Sequence, residues 1–204
     1  MKVLAINSSH RPGKNTALML NLVLKQVQES GGETELLELA NHKIKLCSAC
    51  NKCLQKNVCG IDDDDMAMIA QKMIEADCIV LGSPVYFANV TSLMKIFMDR
   101  TRWMHMCKNL LYGKLGGVVT HAGLRNGGQE ITQMILERFL HNHGIDLVDS
   151  RSPDSPIYNS GVLGTMFDSM QGEKILWKQG VIDDHLTVMM CRLLGDNIVR
   201  KLLG

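Results

Sequence analysis

Lys2-Val3-Leu4-Ala5-Ile6-Asn7-Ser8-Ser9-His10-Arg11-Pro12-Gly13-Lys14-Asn15-Thr16 is the stretch on which the fold turns. Residues 2–7 read as a short, nearly continuous apolar strand. Residues 8–14 are a polar loop that holds a proline and a glycine. Over residues 16–29, Leu18, Leu20, Leu22, Val23 and Val27 mark a helical segment, which stops at Gly31-Gly32.

The same alternation continues outward from this unit. Strands are expected at 33–39, 77–82, 115–120 and 145–150, and helices at 65–75, 90–107, 128–143 and 184–203. Residues 151–167, with Pro153, Pro156, Gly161 and Gly164, read as loop. Strands that alternate with helices imply right-handed crossovers and a parallel sheet covered on both faces. The expectation is an α/β, three-layer, doubly wound, five-stranded sheet of order 2-1-3-4-5. Such sheets bind ligands where the order reverses, between strands 1 and 3. That places loops 8–15 and 83–89 at a binding edge. The chain reads as one domain over 1–204, with a cysteine-bearing excursion at 40–61 and a C-terminal extension at 151–204.

Composition narrows the function classes. The chain has 204 residues and a net charge of +1, with 21% charged and 46% hydrophobic residues. A balanced charge argues against nucleic acid or an anionic membrane as partner, since both demand a basic excess. Two Trp, three Tyr and four Phe stand against 14 Met, so the core is expected to be Leu, Ile, Val and Met. The apolar run after Met1-Lys2 is too short for a signal peptide, and no run reaches the roughly 20 apolar residues of a membrane span. A soluble, cytoplasmic protein is expected. In a reducing compartment, clustered cysteines point to metal or redox chemistry rather than disulfides.

The first loop has the makings of a phosphate cradle. Ser8, Ser9 and Thr16 carry hydroxyls, Gly13 permits a tight turn, Arg11 adds charge, and the helix start beside Asn15 offers free N–H groups. A P-loop is rejected, because the first glycine of its pattern is missing and Thr16 stands one place late. The dinucleotide fingerprint is absent, and Asn7 supplies no acidic pair for a response regulator. The second loop runs Ser83-Pro84-Val85-Tyr86-Phe87-Ala88-Asn89, with Pro84 holding Ser83 extended. Tyr86 and Phe87 stand at the expected edge, where an aromatic walls a flat ring or packs beneath the loop. Thr120, His121 and Gly123 end the fourth strand, and Gly127-Gly128 opens the next helix. Three glycine-bearing or hydroxyl-bearing loops on one edge suit a mononucleotide with a large ring.

In this order, the hydroxyl loop with Asn15-Thr16, Ser83-Pro84-Val85-Tyr86, Lys95-x3-Asp99-Arg100 and Gly127-Gly128 resembles the NADPH-dependent FMN reductase family of the flavodoxin-like fold, over residues 1–145. The resemblance implies FMN, with its phosphate in loop 8–16 and its isoalloxazine against loops 83–90 and 120–128. NAD(P)H is the implied donor class. Asp99-Arg100 is read as a structural pair.

Cys47, Cys50, Cys53 and Cys59 fall within 13 residues as C-x2-C-x2-C-x5-C. Three thiolates so spaced can ligate three irons of one cubane, and a fourth completes it. Zinc fits less well, because only two residues separate Cys50 from Cys53. Reactive or structural thiols are the third option. The spacing resembles the compact motif of the iron-sulfur flavoproteins, a branch of the same flavin family. That likeness implies a [4Fe-4S] cluster beside FMN and exchange between two-electron and one-electron steps.

Other features read more plainly. Cys78, Cys107 and Cys191 lie in apolar segments and are expected in the core. The acidic run 62–65 is expected to be a helix start with solvated charges. His10 and His121 fall at the site edge without a required role. Met94, Met98, Trp103, Met104 and Met106 are core or a homodimer face. Three functions are weighed. The first is an FMN oxidoreductase that passes electrons through the cluster to a partner such as ferredoxin. The second is a cluster-free NAD(P)H-dependent FMN or quinone reductase, and the third is a redox-sensing flavoprotein.

Overall fold

The computed structural model describes residues 1–152 and 161–204. Strand β1 (Lys2–Asn7) sends Val3 and Ala5 to one face and Leu4 and Ile6 to the other, and all four are buried. A strand apolar on both faces belongs in the middle of a covered parallel sheet. It pairs in parallel with β2 (Glu33–Glu38) on one side and β3 (Cys78–Pro84) on the other. Next come β4 (Leu115–Ala122) and β5 (Asp146–Leu147), completing the expected order 2-1-3-4-5.

Helices α1 (Asn15–Glu29) and α6 (His185–Leu203) cover one face, where Met19, Val23, Leu194 and Ile198 meet Val3 and Ala5. Helices α2 (Met66–Glu75), α3 (Ser92–Arg100) and α5 (Gln129–Asn142) cover the other, with Met73, Phe97 and Leu136 against Leu4 and Ile6. Each fully buried Leu, Ile or Met contributes about 1.5–3 kcal/mol. The aromatic-poor core of the expectation is therefore what forms. Among the described residues, no helix is long and apolar enough to cross a membrane.

Two elements depart from expectation. The helix expected at 90–107 is two pieces, α3 and the short α4 (Trp103–Met106). Thr101 ends α3, because its hydroxyl donates to the Met98 carbonyl at 2.8 Å and also meets the His143 ring. The edge of the sheet also differs. The expected fifth strand shrinks to two residues, and a further strand, β6 (Val162–Thr165), pairs in parallel with the far half of β4. Among the described residues the sheet thus has six strands, the sixth drawn from the stretch 151–167 read as loop. Pro153 and Pro156 of that stretch lie outside the described residues. Val119 to Ala122 are buried and need backbone partners, which the four residues of β6 supply. Four residues are too few to show a period in sequence. A two-stranded hairpin follows, β7 (Phe167–Gln171) and β8 (Lys174–Trp177).

At the switch point the helix and sheet approach closely. A Cβ on Gly82 would stand 2.8 Å from Leu20 Cδ1 and 2.8 Å from Thr16 Cγ2. That contact sets the start of α1 directly over the end of β3.

Candidate functional site

The loop after β1 is held from below. The Ser8 N–H and hydroxyl both donate to the Gly82 carbonyl, at 2.9 and 3.0 Å. The Asn7 amide donates to Glu38 at 2.6 Å, and its oxygen accepts from the Ser9 N–H at 2.9 Å. The Ser9 hydroxyl accepts from the Arg11 N–H, and the Gly13 N–H donates to Glu38 at 3.0 Å. Ser8 and Ser9 are both buried, so their hydroxyls serve the loop itself. Helix α1 has no side-chain cap, and its ladder opens with the Leu18 N–H on the Lys14 carbonyl. The amides of Asn15, Thr16 and Ala17 therefore lie in the uncapped first turn, where an anion is favoured. Arg11 is exposed beside them. The Asn15 side chain faces the C-terminal extension, contacting Met166 Sδ and accepting from the Val181 N–H.

The second loop is a strained turn on a firm base. The Tyr86 N–H donates to Asn89 at 2.9 Å and the Asn89 N–H returns to Tyr86 at 3.0 Å. The two central residues, Phe87 and Ala88, have φ of 51° and 54°. Left-handed non-glycine residues cost about 1–3 kcal/mol each and persist where the surroundings impose them. The turn carries Phe87 fully into solvent and half-exposes Tyr86, whose ring meets His10 edge-on at 6.0 Å. Pro84 is the last residue of β3, and the Val85 N–H donates to the His121 carbonyl at 2.9 Å. The Ser83 hydroxyl accepts from the Thr91 N–H.

Thr91 is a residue that sequence reasoning missed. Its hydroxyl donates to the Ser8 carbonyl at 2.8 Å and accepts from the Met94 N–H, so one side chain caps α3 and ties it to the first loop. A threonine just before a helical run was its only signal.

The third loop closes on the first two. Ser83 stands opposite Thr120, and Pro84 opposite His121. His121 Nε2 lies 3.1 Å from the Thr16 hydroxyl, and burial, helped by the positive Arg11, pushes its pKa down to about 4. The ring is thus neutral near neutral pH. Its Nδ1 and the Thr120 hydroxyl are buried with no partner among the described residues. Gly128, at φ +98°, brings loop 127–128 against the strained turn: a Cβ there would stand 2.6 Å from the Ala88 backbone. Trp177 of the hairpin lies beside Gly123.

The cysteine excursion lies against α3, with Ile44 packed on the core that holds Leu4, Ile6 and Phe97. Cys47 and Cys50 are exposed, Cys53 and Cys59 are half-buried, and all four line one pocket with Arg100 and Trp103. Among the described residues, no three His, Cys, Asp or Glu side chains already converge as a metal cage. Ala49 and Asn51 are left-handed, at φ 51° and 60°. The Lys52 backbone N–H holds the Cys50 thiol below its ordinary pKa.

Three expectations need correction here. Cys107 is exposed rather than core, and its thiol donates to the Cys53 carbonyl at 3.2 Å, because the break after α3 turns it to the cysteine loop. Asp64 is not a solvated charge: it is fully buried in an ion pair with Arg100. Burial opposes its ionisation, yet Arg100 and the Lys45 and Met66 N–H groups hold its carboxyl below the usual range. Arg100 therefore pairs with Asp64, while Asp99 pairs with Lys95 one helical turn back.

Residues 1–152 match the family described as NADPH-dependent FMN reductase. An iron-sulfur flavoprotein of Methanocaldococcus jannaschii is 40% identical over 162 residues, covering 79% of this chain and 83% of the relative. An iron-sulfur flavoprotein of Methanosarcina thermophila is 34% identical over 152 residues, covering 74% of this chain and 79% of the relative. Among solved structures, a flavodoxin from the domain Archaea superposes with a TM-score of 0.59 at 15% identity, over the whole of both chains. That last likeness is one of fold.

Proposed function

The chain belongs to the NADPH-dependent FMN reductase family and is a flavin-dependent oxidoreductase, and we infer that it is an electron-transfer flavoprotein with FMN at the switch point and a [4Fe-4S] cluster on the cysteine loop. One observation carries the flavin reading. The loops after β1, β3 and β4 are cross-tied at one edge, with an uncapped helix start on one side and the unpartnered Thr120 hydroxyl and His121 Nδ1 on the other. This donor set fits a phosphate and a polar ring edge. Four thiols lining one pocket fit a cubane cluster.

When bound, FMN supplies acceptance of an electron pair and the cluster supplies one-electron exchange. The chain's own residues bind and orient. The N–H groups of Asn15, Thr16 and Ala17 hold the phosphate, with Gly13 shaping the turn and Arg11 adding charge. Within the second loop, the N–H groups of Val85, Tyr86, Asn89 and Val90 are already bonded. The amides of Phe87 and Ala88 are the ones left to stabilise negative charge on a reduced ring. Ser83 and Pro84 support that turn. Thr120, neutral His121 and Gly123 would contact the ring, with Trp177 beside Gly123 bounding the site from the hairpin. Fully exposed Phe87 gives a second copy of the chain a natural anchor, so we place the site in a homodimer.

A one-electron carrier of the ferredoxin class is the proposed partner. The second reading is a cluster-free reductase that uses NAD(P)H, for which the open cleft beside the hairpin offers room, lined by Arg125 and Lys178 together with Glu130, Asp168 and Asp184.

Anaerobic purification decides between them. The expected protein shows flavin bands over broad iron-sulfur absorbance, contains iron and sulfide, and is reduced by ferredoxin. Iron near zero after anaerobic preparation, with rapid bleaching by NADPH, would overturn the cluster reading in favour of the plain reductase. Light scattering checks the dimer, and a strict monomer would refute it.

A further inference from the structure

Arg100 is 1% exposed and lies beneath the cysteine loop. A guanidinium has five N–H donors. Nη1 donates to the Lys45 carbonyl at 2.8 Å and to Asp64, and Nη2 donates to the Ile61 carbonyl at 3.2 Å and to Asp64 at 3.2 Å. Lys45 enters the excursion two residues before Cys47, and Ile61 leaves it two residues after Cys59. One side chain on α3 therefore grips both arms of the loop. Four donors are used, and the fifth, Nε, is buried with no partner among the described residues. Leaving such a buried donor unbonded is unfavourable, so it favours an acceptor nearby. The same side chain lines the pocket shared by Cys47, Cys50, Cys53 and Cys59. Asp64 anchors the clamp from the far side, and its own carboxylate is fully buried.

We propose that Arg100 is the positioning residue of the cysteine site: it clamps both arms of the loop and offers its remaining N–H and its charge to the sulfur ligands. This rests on the cluster reading above. A buried cation next to an iron-sulfur group favours the more negative, reduced form, and hydrogen bonds to sulfur act in the same direction. The clamp orders the ligands before iron arrives, and the charge sets the potential afterwards.

Arg100→Gln and Arg100→Lys in the full chain separate these roles. Lysine keeps the charge but loses the fork that grips two carbonyls. In the iron-free protein, hydrogen exchange of residues 45–61 is expected to rise at least about tenfold in both variants, with β1 and β3 unchanged. In the reconstituted protein, an EPR-monitored redox titration is expected to give a more negative midpoint for Arg100→Gln and one near wild type for Arg100→Lys. Unchanged exchange in both variants overturns the clamp. Equal potentials in wild type and Arg100→Gln overturn the electrostatic role. If the Gln variant does not fold, the Lys variant decides: raised exchange with a retained potential supports the proposal, and unchanged exchange or a fallen potential refutes it. Failure of the wild type to take up iron removes the cluster reading, while the exchange measurement still judges the clamp.

Discussion

The Thr16 hydroxyl lies 3.1 Å from Nε2 of His121, across 105 residues of sequence, and joins the first turn of α1 to the end of β4. Both residues are buried. The contact closes the switch-point edge, and it puts a neutral imidazole where the sequence showed only a histidine near a loop.

The first prediction is a pH dependence of stability. Burial, with Arg11 in second place, pushes His121 down to about 4; burial, with His105 in second place, does the same to His143. As the pH falls below about 6.5, the unfolded chain takes up these protons before the folded one does. The stability each ring contributes is therefore complete above about pH 6.5 and is lost as the pH falls through about 4. It amounts to about 3 kcal/mol per ring at 1.36 kcal/mol per unit. Urea denaturation from pH 7.5 to 4.5 should show the decline, and His121→Gln should remove about half of it. A profile unaltered by that substitution would contradict the assignment.

The buried ion pair should outweigh its exposed neighbour. Asp64→Ala leaves Arg100 buried and unpaired and is expected to cost about 3–5 kcal/mol. Asp63, one residue earlier, meets Lys45 at the surface, and Asp63→Ala should cost less than about 1 kcal/mol. Chemical denaturation of the two variants side by side measures the contrast. Similar losses would mean that the pair is not buried as described.

Gly128 governs how the second and third loops meet. Gly128→Ala forces a side chain into the left-handed region and onto the Ala88 backbone, so a loss of about 2–4 kcal/mol is expected. FMN affinity, read by flavin fluorescence, should weaken at least about tenfold through displacement of the Phe87–Ala88 turn. Adding Ala88→Gly should recover part of both losses. An unchanged affinity in the single variant would separate this contact from the flavin site.

Thiol counting tests the division of the cysteines. Of seven, Cys78 and Cys191 are buried. Burial pushes the Cys78 thiol far up and Cys191 to about 12. In the iron-free folded protein at pH 8, five thiols should react rapidly with a maleimide, and these two only after unfolding. Mass spectrometry of the labelled peptides identifies them, and rapid labelling of Cys78 would refute the core placement.

The order of the sheet was legible in sequence because β1 is apolar at every position from Val3 to Ile6, and only a central parallel strand is buried on both faces. The expected binding edge followed from that order, and the cysteine spacing is a local property of the chain. The sixth strand was not legible, since Val-Leu-Gly-Thr is too short for a period and forms only because β4 needs an edge partner. Cys107 was misread for a similar reason: an apolar flank indicates burial only where a helix continues, and Thr101 stops this one.

The sequence by itself therefore determined the order of the five main strands and the spacing of the cysteines, since periodicity and spacing act over a few residues, and its motifs carried the resemblance to the family. The tertiary structure decided their partners. It committed the Ser8 hydroxyl to Gly82, brought Thr91 onto the first loop, matched Arg100 to Asp64 rather than to its neighbour Asp99, and set His121 against Thr16. Each contact joins residues 36 to 105 positions apart. Such pairings are chosen by which polar groups are buried together and must satisfy one another, and local sequence holds no record of that.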